Sequence, residues 1–173
     1  MDVLIEFGKI LLPAGLVLYA MYLTMKSILQ KEVEKRVMDY KIENSKIVMP
    51  IRLQAFERIC LFLERIMPNN LVLRLNQTNL SAKQFRLILL NEIREEFNHN
   101  LSQQVYLSDR AWGMIKNSVE DVIALINTCS EKLDNEAKSV ELAKEVFNEI
   151  ERRGTDPVSG TLSLVKAEIR EAF

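Results

Sequence analysis

Glu92, Glu96 and His99, in the stretch EIREEFNH, are the residues whose types and spacing most resemble a reactive group. They fall near one helical face, and Glu96-x-x-His99 has the spacing of a carboxylate–imidazole metal pair. Helical bundles that hold two metal ions use two such pairs and two further glutamates. With one histidine in the chain, a metal-dependent enzyme would need its site assembled between subunits from Glu92, Glu96 and His99. The simpler reading is a solvated acidic face, ended by a histidine that complements the carboxyl end of its helix. Cys60 and Cys129 both fall on apolar stripes, which suits small buried hydrophobes better than nucleophiles. Two cysteines and one histidine also fall short of a four-ligand zinc site within one chain.

Other catalytic signatures are missing. The sequence contains no Gly-x-Gly-x-x-Gly, no phosphate loop and no Gly-x-Ser-x-Gly elbow. Trp112 lies on an apolar seam and reads as a core anchor, not a stacking platform. Arg52, Arg58, Arg65 and Arg74 alternate with Glu57 and Glu64, a pattern of salt-linked solvent faces. The 23 Lys plus Arg against 24 Asp plus Glu leave a formal charge of −1, without the basic excess that a phosphate backbone demands. The expectation is a protein without catalytic, cofactor-binding or metal-ligating residues, and without nucleic acid as a partner.

At 173 residues, with five Gly and four Pro, the chain has the size of one domain and little room for linkers. Its strongest single signal is ILLPAGLVLYAMYLTM, an uncharged run from Ile10 to Met25 bounded by Lys9 and Lys26. Extended through the uncharged Ser27 to Gln30, residues 10–30 reach about 30 Å as a helix, enough to cross a bilayer once. Pro13 and Gly15 are tolerated in such helices, and Tyr19 and Tyr22 suit an interface. A secretory signal peptide fits poorly, because Asp2 and Glu6 precede the run and Lys26 opens a helix-forming stretch after it. A buried core helix is the remaining alternative for a run of this length.

Lys26, Lys31, Lys35, Arg36, Lys41 and Lys46 follow the span, against Lys9 before it, which places the carboxyl side in the cytoplasm. The cysteines then meet a reducing compartment, and the Asn-x-Ser/Thr triplets at Asn76, Asn79 and Asn100 meet no glycosylation machinery.

The remainder reads as all-α. Residues 1–9 form a short flank and 31–49 a helical stalk, into which the stripe Leu29, Val33, Val37 and Tyr40 runs from the span. That stripe, on residues 26–48, predicts a weak parallel homo-oligomer or a fold-back onto the domain. Pro50 is expected to open a new helix, and residues 50–173 to form a bundle of about four to five helices. Its central helix is apolar at Phe56, Ile59, Cys60, Leu63, Ile66 and Met67, with Leu53, Leu61 and Phe62 widening the face.

Pro68-Asn69-Asn70 forces a turn, and residues 71–75 fit a strand or a helical turn, with helical or irregular preferred. Ser81 and Gln84 have capping-box spacing ahead of Phe85, Ile88, Leu89, Ile93 and Phe97. A short turn is expected around Val105, Tyr106 and Leu107, then a Ser108 or Asp109 cap. The longest soluble helix carries the seam Trp112, Ile115, Val119, Val122, Ile126, Cys129 and Leu133. A following helix carries Val140, Ala143, Phe147 and Ile150 and stops at Arg152-Arg153-Gly154. The last carries Leu162, Val165, Ile169 and Phe173.

PIRLQAFERICLFLERIMPNNLVLRL and EIREEFNHNLSQQVYLSDRAW, within Pro50 to Trp112, resemble segments of small single-span membrane proteins of Bacteroidota, a family without an assigned activity. The resemblance implies a bacterial inner-membrane setting and adds no reaction. It implies a binding surface at the two irregular joints, NNLVLRL and NHNLSQQVYLSDRAW, because recognition falls on loops more often than on packed helices. The reading as a whole is a membrane-anchored interaction or scaffold protein serving a membrane-associated assembly, with the bilayer and an unidentified protein as partners.

Overall fold

The computed structural model describes residues 2–77 and 79–171, with side chains described from Lys9 onward except Ile10. Phe173, assigned above to the last stripe, lies outside the described residues. The described residues form six α-helices and one 3-10 helix. α1 (Asp2–Ile66) runs through Pro13 and Pro50 without a break, so Pro50 does not open a helix as its residue type suggested. Pro50 deprives the Lys46 carbonyl of its helical donor. Lys46 and Pro50 are both exposed, so that carbonyl is not left unpaired in a dry interior and no break is forced.

The chain nevertheless divides at Pro50 into two compact units, residues 1–50 and 51–173. The first is a single helix, exposed at every residue from Leu11 to Val48.

The second unit contains the end of α1 followed by α2 (Pro68–Leu75), α3 (Ala82–Asn100), the 3-10 helix Leu101–Tyr106, α4 (Asp109–Glu131), α5 (Ser139–Arg153) and α6 (Ser159–Glu171). α2 settles the ambiguous 71–75 as helix and raises the number of packed segments above four or five. The segment 103–107 is no strand either, since the 3-10 helix covers it as far as Tyr106.

Local chemistry fixes the helix ends. Asn70 Nδ2 donates to the Glu64 carbonyl at 2.9 Å and Arg74 to the Arg65 carbonyl at 3.4 Å, satisfying groups that the end of α1 leaves open. Ser81 and Gln84 form both halves of a capping box at α3. Ser108 Oγ accepts from the Ala111 amide at 3.1 Å to cap α4. Gly154, at φ 68°, ends α5 in the left-handed conformation that glycine adopts most easily.

The core assembles from the expected apolar stripes, with two shifts. Ile59, Leu63 and Ile66 of α1 meet Phe85, Leu89 and Ile93 of α3 and Ile115, Val122, Ile126 and Cys129 of α4, all fully buried. Each large apolar side chain so buried contributes roughly 1.5–3 kcal/mol. Phe62 joins them, but Leu53 and Leu61 remain exposed and do not widen the core face. On α5 the buried residues are Ser139, Leu142, Ala143, Val146 and Glu149, while Val140 is exposed and Phe147 and Ile150 pack at the core's edge. The face turned because α5 packs on α3 and α4 together, and Leu142 and Val146 form the i, i+4 ridge that fits between them.

Candidate anchor and interaction surface

The apolar run of α1 packs against no other described element. From Leu11 to Met25 its large side chains are 47–69 % exposed, and they point in every direction around the helix. α1 is long and apolar enough, by length and composition, to cross a membrane, and none of its apolar window is buried. Leu29, Val33, Val37 and Tyr40 are likewise exposed.

The metal-like residues fare differently. Glu92 accepts from Arg74 of α2 at 2.6 Å, and Glu96 accepts from Arg65 of α1 at 2.9 Å. His99 is exposed one turn beyond Glu96. Among the described residues, no three His, Cys, Asp or Glu side chains gather to hold a metal ion. Each carboxylate thus serves as an interhelical tie. The arginine–glutamate pattern on α1 also works between helices: Glu64 pairs with Lys166 of α6 at 3.5 Å, and Arg52 donates to the Tyr106 carbonyl at 3.4 Å.

Cys129 is buried and Cys60 half-buried. Desolvation raises both thiol pKa values, that of Cys129 to about 11, so neither carries a thiolate near neutral pH. Trp112 stacks on Phe97 at 5.6 Å, and Phe97 meets Phe62 at 6.2 Å, an aromatic ladder tying α4 to α3 and α1.

The most conspicuous ionic feature escaped the sequence reading. Glu149, only 3 % exposed, accepts from Lys132 at 3.1 Å, from Arg152 at 2.7 and 3.1 Å, and from Arg153 at 3.0 Å. The hydrogen bonds from Arg152, then Lys132 and Arg153, hold its carboxyl far below the ordinary glutamate range. Its i+3 and i+4 spacing to Arg152 and Arg153 was readable. Lys132, the contact that clamps α5 to α4, was not.

The two joints differ. In α2, Leu71 and Val72 enter the core and Leu73 stays exposed. The second joint is more open: Val105 of the 3-10 helix is 79 % exposed. Beside it, Glu96, His99 and Asn100 line a cleft of about 430 Å³ with Arg58, Leu61, Phe62 and Arg65 of α1.

Residues 2–172 match the model of a Family of unknown function (DUF7935). The chain belongs to this family. Membership in DUF7935 brings no activity, source organism or membrane setting with it. No curated protein and no solved structure matches the chain.

Proposed function

We propose that the chain is a membrane-anchored, non-enzymatic helical interaction protein, an accessory partner of an assembly at a bacterial inner membrane. Residues 10–30 cross the bilayer once and residues 51–173 lie in the cytoplasm as the docking module. The observation that carries this is the exposure of the apolar run on all sides of α1. Such a surface suits lipid and is unfavourable in water, because an all-round apolar helix needs an apolar surrounding. The orientation rests on the six cations between Lys26 and Lys46. The absence of enzymatic function rests on Glu92 and Glu96 being held by arginines and on two thiols kept neutral by burial. The exposed stripe Leu29, Val33, Val37 and Tyr40 supports weak parallel self-association of residues 26–48, since tethering in one plane raises the local concentration.

Two cysteine experiments test the reading, both in a Cys60→Ala, Cys129→Ala background. A single cysteine at Lys46 should resist a membrane-impermeant maleimide in intact cells and react after lysis. Labelling in intact cells would reverse the orientation. Cysteines at Val33 and Val37 should crosslink between copies in membranes, and a crosslink to the bundle instead would replace self-association by fold-back.

A further inference from the structure

The cleft between the end of α1 and the end of α3 combines a cationic rim with an exposed leucine. Leu61 is 58 % exposed on a helical segment whose neighbours Ile59, Phe62 and Leu63 are fully buried. Arg58 and Arg65, two turns apart on α1, flank it, and His99 and Glu96 face them from α3. The charges do not cancel. Glu96 occupies one nitrogen of Arg65, whose side chain is still half exposed, and a guanidinium carries five donors. Arg58 has no carboxylate within 4 Å among the described residues, and neither has His99. Two arginines against one glutamate leave a positive excess, in a chain whose overall charge is −1.

The surroundings discriminate between anions. The cleft lies at the carboxyl end of α3, whose partial negative charge opposes a small inorganic anion seated deep in it. A ligand that keeps its charge out at the arginine tips and adds apolar contact avoids that repulsion. We propose that this cleft docks an acidic, leucine-bearing peptide segment of a partner protein, with a carboxylate on Arg58 at the α1 rim and an apolar side chain on Leu61. Arg58 is suited to this by its planar fork, which binds a carboxylate through two parallel hydrogen bonds. The inference rests on reading residues 51–173 as an interaction module and names the surface and the partner's chemistry.

The test uses the full chain in nanodiscs of zwitterionic lipid, followed by side-chain NMR of arginine Nε–H and the histidine ring. Three probes are titrated: a short peptide of leucine and glutamate, the same peptide with lysine replacing glutamate, and inorganic phosphate. The glutamate peptide should shift Arg58, Arg65 and His99 saturably, and Arg58→Glu should weaken it about tenfold or more, the loss of one charge-assisted contact. Arg58→Gln should give a smaller loss, and unchanged Trp112 fluorescence should verify that both variants stay folded. Equal binding of the two peptides, no shift at these residues, or no effect of Arg58→Glu overturns the proposal. Phosphate that reproduces the peptide's shifts also overturns it, in favour of a small-anion site. A glutamate peptide that binds without shifting Arg58, Arg65 and His99 overturns this surface while leaving residues 51–173 an interaction module.

Discussion

Residues 11–25 and residues 51–66 belong to the same helix and are both rich in large apolar side chains, yet they treat them in opposite ways. In the second stretch Ala55, Phe56, Ile59, Phe62, Leu63 and Ile66 are fully buried, on one face, and charged residues share the other with Ile51, Leu53 and Leu61. In the first, apolar residues occupy every face and all are exposed. Apolar content alone therefore does not decide what a helix is for. A one-sided stripe calls for a protein core, and an uninterrupted apolar belt calls for a different solvent.

Substitutions at matched leucines break or sharpen this contrast. Leu63→Ala should lower the stability of the 51–173 unit by about 2–5 kcal/mol, measured in urea through Trp112, the single tryptophan. Leu18→Ala should leave the same midpoint within about 0.5 kcal/mol. Equal effects would abolish the distinction between the two stretches. The converse probe is Leu18→Arg, a charge in the middle of the belt. It should impair membrane insertion by about 2.5–3.5 kcal/mol, seen as a larger soluble fraction, while Trp112 reports an unchanged fold.

Glu149→Gln comes next. Because the folded-state pKa of Glu149 is depressed, its contribution is complete above the unfolded-state value, about 4.3. It is lost as pH falls toward the folded value. The variant should be less stable at neutral pH and show a shallower loss of stability between neutral pH and acid. Parallel pH profiles for the two proteins would remove Glu149 from the account. Last is Ser81→Ala, which removes the hydroxyl half of the α3 capping box and should lower stability by about 1 kcal/mol.

Where structure depends on neighbours in sequence, the residues announced it. The Ser81–Gln84 box, the Ser108 cap, the Gly154 stop and the α4 seam from Ile115 to Cys129 all stand where spacing put them. Pro50 misled because proline's effect depends on whether the freed carbonyl reaches water, which the residue type does not disclose. Val140 misled because the buried face of α5 is chosen by the helices it packs on. The same limit governed the candidate site. Glu92, Glu96 and His99 were visible as one helical face, but Arg74 and Arg65, which redefine the two carboxylates, arrive from α2 and α1. Leu61 looked like core and stands instead in a charged cleft.

The anchor is the central claim, and alkaline carbonate extraction of membranes from cells expressing the full chain tests it most directly. The chain should remain in the membrane pellet through high salt and carbonate and float with lipid on a density gradient. Recovery of folded protein with native Trp112 fluorescence in the carbonate supernatant would contradict it and return the apolar run of α1 to a protein partner.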